Sequence, residues 1–279
     1  MLSDAQAAEL ALLVLYAEDM YLNDRENLAP APDPRLSPGW TVLGYLTAVD
    51  ALFRRGQTLT MGDPTCYGYL ARNAAGVYVA AIRGTEGALE WIEDADFLPV
   101  SHPVEGTVEQ GFYGIYRSMT YQPIGGTAAL AAQGIAAAVG AAELLVMGHS
   151  LGATLATYLT FDLADPARLG ARAQGCYFAS PRPGDAAFAK AFDQRVASYQ
   201  LYNYELDVVP RVPVGPDYTD LPRVNWIGIN AAKARISFNL ACHHHLTSYC
   251  AMLNYSLLDW LALPICDMAN AACIKGPAA

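Results

Sequence analysis

Ser150 is the residue best placed in this chain to attack an electrophile. It stands in Gly148-His149-Ser150-Leu151-Gly152, after the apolar run Leu144-Leu145-Val146-Met147 and before Ala153-Thr154-Leu155-Ala156-Thr157-Tyr158-Leu159. The apolar run reads as a short buried strand and the next stretch as a helix. A G-x-S-x-G pentapeptide arises by chance in roughly one chain in ten of this length, so its flanks carry the argument. Strand, tight turn and helix are the context in which a serine is held strained, with its hydroxyl projecting at the helix N-terminus. Gly148 and Gly152 are expected where a side chain would collide with the neighbouring strand or helix. The backbone N–H of Leu151, next after the serine, would face an oxyanion formed on an attacked carbonyl.

A serine hydroxyl is a weak nucleophile at neutral pH and needs a base, which in turn needs an orienting acid. In sheets of this kind the partners come in the order serine, acid, histidine. Asp207 lies in Leu201-Tyr202-Asn203-Tyr204-Glu205-Leu206-Asp207-Val208-Val209-Pro210. It comes after an apolar strand, and Pro210 and Pro213 prevent strand continuation on both sides of Arg211. That places Asp207 at the C-terminal end of a strand, where open α/β sheets hold their ligands. Glu205 is the rival acid, two residues earlier and expected still within the strand. Three of the five histidines, His243, His244 and His245, stand in a row before the last apolar helix; the others are His102 and His149. Residue type alone leaves the three open as the base. Cys242 and Cys250 flank them and raise a zinc site as a competing reading, but no second Cys/His pair stands at ligand spacing.

These groups need a scaffold. The chain has 279 residues, 53% of them hydrophobic and 16% charged, with mean hydropathy +0.18. That is ample for a large core and speaks against disorder. A net charge of −10 disfavours nucleic acid as a partner and gives no pull toward anionic lipid, so any lipid contact would be apolar. No stretch is long and apolar enough to span a membrane. The N-terminus, Met1-Leu2-Ser3-Asp4, has neither a basic region nor a cleavage site, so the expectation is a cytoplasmic chain or one exported without a leader. Six cysteines permit three disulfides, with Cys242/Cys250 and Cys266/Cys273 as the local pairs, or free buried thiols.

Residues 4–22 read as a capping helix and residues 28–39, with four prolines, as a surface wrap. Residues 40–51 read as a strand, and 65–72 and 77–83 as a hairpin turning at Asn73-Ala74-Ala75-Gly76. Helices are expected over 87–96, 111–119, 127–139, 185–196 and 246–262, and strands over 174–179 and 198–204. Strands alternating with helices from residue 127 onward imply parallel pairing with helices on both faces. No repeat or linker divides the chain, so one domain is expected.

The ordered motifs resemble the class 3, fungal-type lipases of the α/β-hydrolases. Ala80-Ala81-Ile82-Arg83-Gly84-Thr85 is similar to that family's strand ending in Arg-Gly-Thr/Ser, and Trp91 and Asp94 fit its next tryptophan and acidic position. Gln110-Gly111-Phe112 resembles its Gly-Phe helix entry. Phe178-Ala179-Ser180-Pro181-Arg182-Pro183-Gly184-Asp185 resembles its Gly-Ser-Pro-Arg-x-Gly-Asn segment, with Ala179 and Asp185 replacing glycine and asparagine. Asp207-Val208-Val209-Pro210 and His244-His245-Leu246-Thr247-Ser248-Tyr249 fit its acid and base segments. The resemblance spans residues 40–262. It implies a mostly parallel α/β-hydrolase sheet in a single domain over residues 1–279, with 1–39 as helix and wrap and 86–97 as a lid carrying Trp91. It also implies Ser150 as nucleophile, Asp207 as acid, His244 as base, and Thr85 beside Leu151 as oxyanion donors. The implied activity is hydrolysis of acyl esters, triacylglycerol or related, with no cofactor and no metal. The alternatives are a phospholipase A1, a feruloyl or short-chain esterase, or a non-catalytic lipid-binding module on the same fold.

Overall fold

The apolar strand ahead of Ser150 lies inside a nine-stranded sheet, fourth from one edge. The computed structural model describes residues 2–49, 62–85, 97–257 and 272–278. Trp40–Val49 (β1) pairs antiparallel with Pro64–Asn73 (β2), which turns back into Tyr78–Ile82 (β3). Gly76, at φ 81°, allows that turn. Pro99–Ser101 (β4) and Thr107–Glu109 (β5) make a separate small hairpin. Thr120–Pro123 (β6) and Ala129–Leu130 (β7) extend the edge beside β1. Leu144–His149 (β8), Ala173–Phe178 (β9), Ser198–Tyr204 (β10) and Val224–Ile227 (β11) complete the sheet. A second hairpin joins Ala234–Ile236 (β12) to Ile274–Pro277 (β13).

The sheet order is β11-β10-β9-β8-β3-β2-β1-β6-β7. β3, β8, β9, β10 and β11 run parallel, and β2, β1, β6 and β7 are antiparallel to their neighbours. This is the mostly parallel core expected of an α/β-hydrolase, with an antiparallel wing. Parallel strands need both faces covered, and seven described helices serve that end or frame the site: Asp4–Asn23 (α1), Gln110–Ser118 (α2), Ala131–Val139 (α3), Leu151–Leu163 (α4), Ala186–Arg195 (α5), Leu240–His244 (α6) and Leu246–Leu253 (α7). Helices α2 to α5 bury Phe112, Ile135, Leu155, Phe188 and their neighbours on one face. Helices α1 and α7 cover the other with Val14, Leu15, Tyr249 and Met252. A reciprocal cap between Ser3 and Gln6 starts α1. Arg35, ion-paired with buried Asp19 and with Asp33, straps the proline-rich wrap to that helix.

Four expectations need correction. The helix expected over 127–139 begins at Ala131, because Ala129 and Leu130 pair with Tyr121 and Thr120 instead. The closing helix ends at Leu253: Asn254 is extended and accepts from the Ser256 hydroxyl, and a 3₁₀ turn, Tyr255–Leu257, comes next. Cys242 bonds Cys273, not Cys250, which rules out both local pairs. Cys242 and Cys250 sit on two different short helices, while the β12–β13 pairing, Ile236 opposite Ile274, delivers Cys273. Glu205 lies just past the end of β10 rather than within it. The helix expected over 87–96 and Trp91 of the expected lid fall outside the described residues.

Candidate active site

The chain between β8 and α4 turns at Ser150, which adopts φ 57°, ψ −131°. For a residue bearing a Cβ this is a strained conformation, and the surroundings impose it. The Ser150 amide donates to the Phe178 carbonyl at 3.0 Å, tying the turn to β9, and the Ser150 carbonyl accepts from Ala153 at 2.9 Å to start the helix. A methyl group on Gly148 would lie 2.2 Å from the Gly152 carbonyl oxygen, and one on Gly152 would lie 2.2 Å from that of Arg83. The two glycines thus let helix, turn and β3 close onto one another with Ser150 at the junction.

Ser150 Oγ lies 2.9 Å from His244 Nε2, and His244 Nδ1 lies 2.8 Å from Asp207 Oδ2. All three are buried, at 2%, 5% and 0% exposure, so bulk water does not compete for these bonds. A carboxylate only accepts, so His244 carries its proton on Nδ1 and offers the Nε2 lone pair to the serine hydroxyl. Asp207 is itself pinned: Val209 N–H donates to Oδ1 at 3.0 Å and the Tyr249 hydroxyl donates to Oδ2 at 2.8 Å. Such an arrangement can move a proton from serine to imidazole and hold the imidazolium that results.

The neighbouring histidines do other things. His149, fully buried, has its pKa driven well below the ordinary imidazole value, by burial first and then by His244. It is therefore neutral, and because a carbonyl only accepts, its Nε2–H donates to the His244 carbonyl at 2.8 Å. Its ring packs on that of His244, centroids 4.8 Å apart. His243 faces away, between the rings of Tyr204 and Phe238. His245 is shifted down by burial, then by His244, and makes no bond to Ser150 among the described residues. Glu205 accepts from the Ile229 amide at 2.8 Å and does not reach the histidines. Cys242, spent in its disulfide, is not a thiolate that could hold zinc.

Thr85 and Leu151 approach the serine from opposite elements. Leu151 opens α4 and Thr85 lies just past β3. A methyl on the intervening Gly84 would lie 3.1 Å from Ser150 Cβ, so Gly84 lies against Ser150. The Thr85 hydroxyl is buried without a hydrogen-bond partner among the described residues. A buried orphan hydroxyl is costly in a folded protein unless something else satisfies it. Three residues of this site, His149, Tyr249 and Arg83, stand inside the motifs read from the sequence, but their partners are not readable there.

Residues 79–216 match the family described as Lipase (class 3). Phospholipase A1-II 6 of Oryza sativa subsp. japonica is 32% identical over 168 residues, which is 50% of this chain and 41% of that protein. Secreted mono- and diacylglycerol lipase A of Penicillium cyclopium is 30% identical over 164 residues, 57% of this chain and 51% of that protein. The chain belongs to the class 3 lipases. It spans about half the length, or less, of these curated relatives. The solved structure of the Penicillium cyclopium enzyme's N225Q mutant shares the fold at TM-score 0.57 and 23% identity, over 81% of this chain and 82% of that one. Another, of a fungal lipase with a buried polar cluster, gives 0.59 and 21% over 86% and 85%. This class 3 lipase departs from its family's pattern in two places. Ala179 holds a positive φ, 51°, where the pattern has glycine. Asp185 stands for asparagine and still caps α5, accepting from the Phe188 amide at 2.8 Å and the Thr107 hydroxyl at 3.1 Å.

Proposed function

We propose that this class 3 lipase hydrolyses carboxylic esters of fatty acids through a serine acyl-enzyme. The observation that carries the reading is the continuous chain from Ser150 Oγ to His244 to Asp207, at 2.9 and 2.8 Å. His244 takes the Ser150 proton as Oγ attacks the ester carbonyl. Leu151 N–H and the Thr85 N–H and hydroxyl hold the tetrahedral oxyanion, which gives the orphan Thr85 hydroxyl an acceptor. His244 then returns its proton to the departing alcohol. A water, deprotonated by His244, cleaves the acyl-enzyme and regenerates Ser150. Asp207 fixes the imidazole tautomer and stabilises the cation throughout. No step calls for a metal or cofactor.

The substrate class is taken from the relatives, which carry names of a mono- and diacylglycerol lipase and of phospholipases A1. An apolar substrate suits a chain of net charge −10 with no basic attraction for anionic headgroups. The phospholipase A1 reading is retained beside the acylglycerol one because the rice relative matches over half the chain. Residues 1–279 are proposed as one catalytic domain. No described helix is long and apolar enough to cross a membrane.

Ser150→Ala is expected to lower kcat on p-nitrophenyl esters by about a million-fold, the scale for loss of a serine nucleophile. His244→Ala is expected to be nearly as damaging, and His243→Ala and His245→Ala to retain turnover. Wild-type protein that neither turns over esters nor reacts with a fluorophosphonate would leave the non-catalytic lipid-binding module as the reading. A series of triacyl, diacyl and phospholipid substrates divides acylglycerol from phospholipid preference.

A further inference from the structure

Arg83 is a full cation in the core, 3% exposed, with no carboxylate paired to it among the described residues. Burying an unpaired guanidinium costs several kcal/mol, so its partners carry weight. Nε donates to the Cys66 carbonyl at 2.8 Å, and Nη1 donates to the Gly84 carbonyl at 2.7 Å. The guanidinium carbon lies 3.5 Å from the Tyr21 ring centroid and 4.6 Å from that of Tyr67. The Arg83 amide is itself bonded to the Tyr67 carbonyl at 2.8 Å. The residue therefore clamps the end of β3 to β2 and, by stacking on Tyr21, to the end of α1.

The Gly84 carbonyl belongs to the same planar peptide as the Thr85 N–H. In a trans peptide the two point in opposite directions. With the carbonyl drawn toward Arg83, the N–H is turned away from the guanidinium, and Gly84 itself lies against Ser150, where an added methyl would stand 3.1 Å from Ser150 Cβ. Neither the Thr85 amide nor its hydroxyl has a partner among the described residues. A cation donating to the peptide oxygen also draws electron density from the nitrogen and strengthens its N–H as a donor.

We propose that Arg83 is a positioning residue for the oxyanion site: through the Gly84 carbonyl it aims and polarises the Thr85 N–H, with Tyr21 on α1 holding the guanidinium in place. This rests on the acyl-transfer reading above. It assigns the N-terminal helix a part in the chemistry, although α1 supplies none of Ser150, His244 and Asp207. Arg83 does not itself meet substrate. Lysine cannot reproduce it fully, because an ammonium lacks the planar fork that reaches two carbonyls while stacking on a ring.

The test compares wild type with Arg83→Met, Arg83→Lys and Tyr21→Leu, and with Ser150→Ala as a control. For each, kcat and KM are measured on p-nitrophenyl butyrate, together with inhibition by an alkylboronic acid, which forms a tetrahedral anion on the serine. Arg83→Met is expected to lower kcat about 100-fold, as loss of one oxyanion donor does, with KM within twofold. The boronate inhibition constant should rise by a similar factor. Arg83→Lys should recover part of both losses, and Tyr21→Leu should lose several-fold in both. Wild-type kcat in folded Arg83→Met overturns the proposal, as does a kcat loss with unchanged boronate affinity. If Arg83→Met does not fold, unchanged kcat and boronate affinity in both Arg83→Lys and Tyr21→Leu overturns it. An inactive wild type, or full turnover by Ser150→Ala, would instead defeat the acyl-transfer reading itself.

Discussion

Tyr249 joins two parts of the site through one oxygen. Its hydroxyl donates to Asp207 Oδ2 at 2.8 Å and accepts from the Tyr204 amide at 2.9 Å, so Asp207 is tied to the end of the strand before it by a side chain from α7. Tyr249→Phe removes one donor from the carboxylate and leaves a buried amide unpaired. An unsatisfied buried donor costs about 1–3 kcal/mol, so the denaturant midpoint should fall accordingly. The kcat should drop about tenfold, the factor that 1.4 kcal/mol represents at the transition state, with KM unchanged. A variant with wild-type kcat and midpoint would show the hydroxyl to be dispensable. Ser150, Asp207 and His244 are legible in the sequence because each stands in a local pattern. Tyr249 and His149 stand in the same patterns, yet their parts are not legible, because those depend on which oxygen lies across the fold from each. In the sequence, His244 is singled out from His243 and His245 by family resemblance alone. In the structure the distinction comes from the turn at His245 between α6 and α7, which sends the three rings in different directions.

At the scale of elements, the Ser150 turn depends on how closely α4 approaches β3. Gly152 is the contact: its missing Cβ would stand 2.2 Å from the Arg83 carbonyl oxygen and 2.5 Å from that of Ile82. Gly152→Ala must push the helix off the sheet and with it the Leu151 amide. Overpacking of this kind typically costs about 1–3 kcal/mol, and kcat should fall by more than about 100-fold, the scale for a lost oxyanion donor, measured beside a thermal melt. An active, equally stable Gly152→Ala would contradict the close approach. The β8–α4 unit and the strands after it are readable because each buried parallel strand is a short apolar run with a helix close behind. The short antiparallel strands β6 and β12 and the edge strand β11 are not: they are three or four residues long, and their partners lie far away in sequence. The same non-locality hides the Cys242–Cys273 bond, which joins residues 31 positions apart, from within α6 to beyond α7. Loop-closure entropy makes such a link worth about 3–4 kcal/mol. Reduction with dithiothreitol, or Cys242→Ser, should lower the urea midpoint by that equivalent; no change would mean the bond adds nothing to folding.

For the whole molecule, the response of stability to pH is set by buried groups that titrate differently once the chain unfolds. His149 and His102 are both depressed, each mainly by burial, so unfolded chains take up protons below the ordinary imidazole value that folded chains refuse. Their contribution is fully present above that value and falls as the medium becomes more acid. Glu109 acts in the opposite sense. It caps α2, accepting from the Phe112 amide at 2.7 Å, yet burial outweighs its amide donors and raises its pKa from 4.5 to about 7. Between those values the unfolded carboxyl is ionised while the folded one keeps its proton. Its contribution is therefore present below pH 4.5, declines as pH rises toward 7, and is gone above that. The two effects partly cancel, which flattens the wild-type profile on its acid side. Glu109→Gln keeps a hydrogen-bonding group at the helix start and removes the titration. From about pH 4.5 to 8 the stability of wild type relative to Glu109→Gln should fall by on the order of 3 kcal/mol, the linkage equivalent of a shift this size. Urea unfolding of both proteins across that range measures it, and the variant should show the steeper rise from about pH 5 to 7. Parallel profiles would mean that the amide donors at the start of α2 win over burial and keep Glu109 charged in the folded protein.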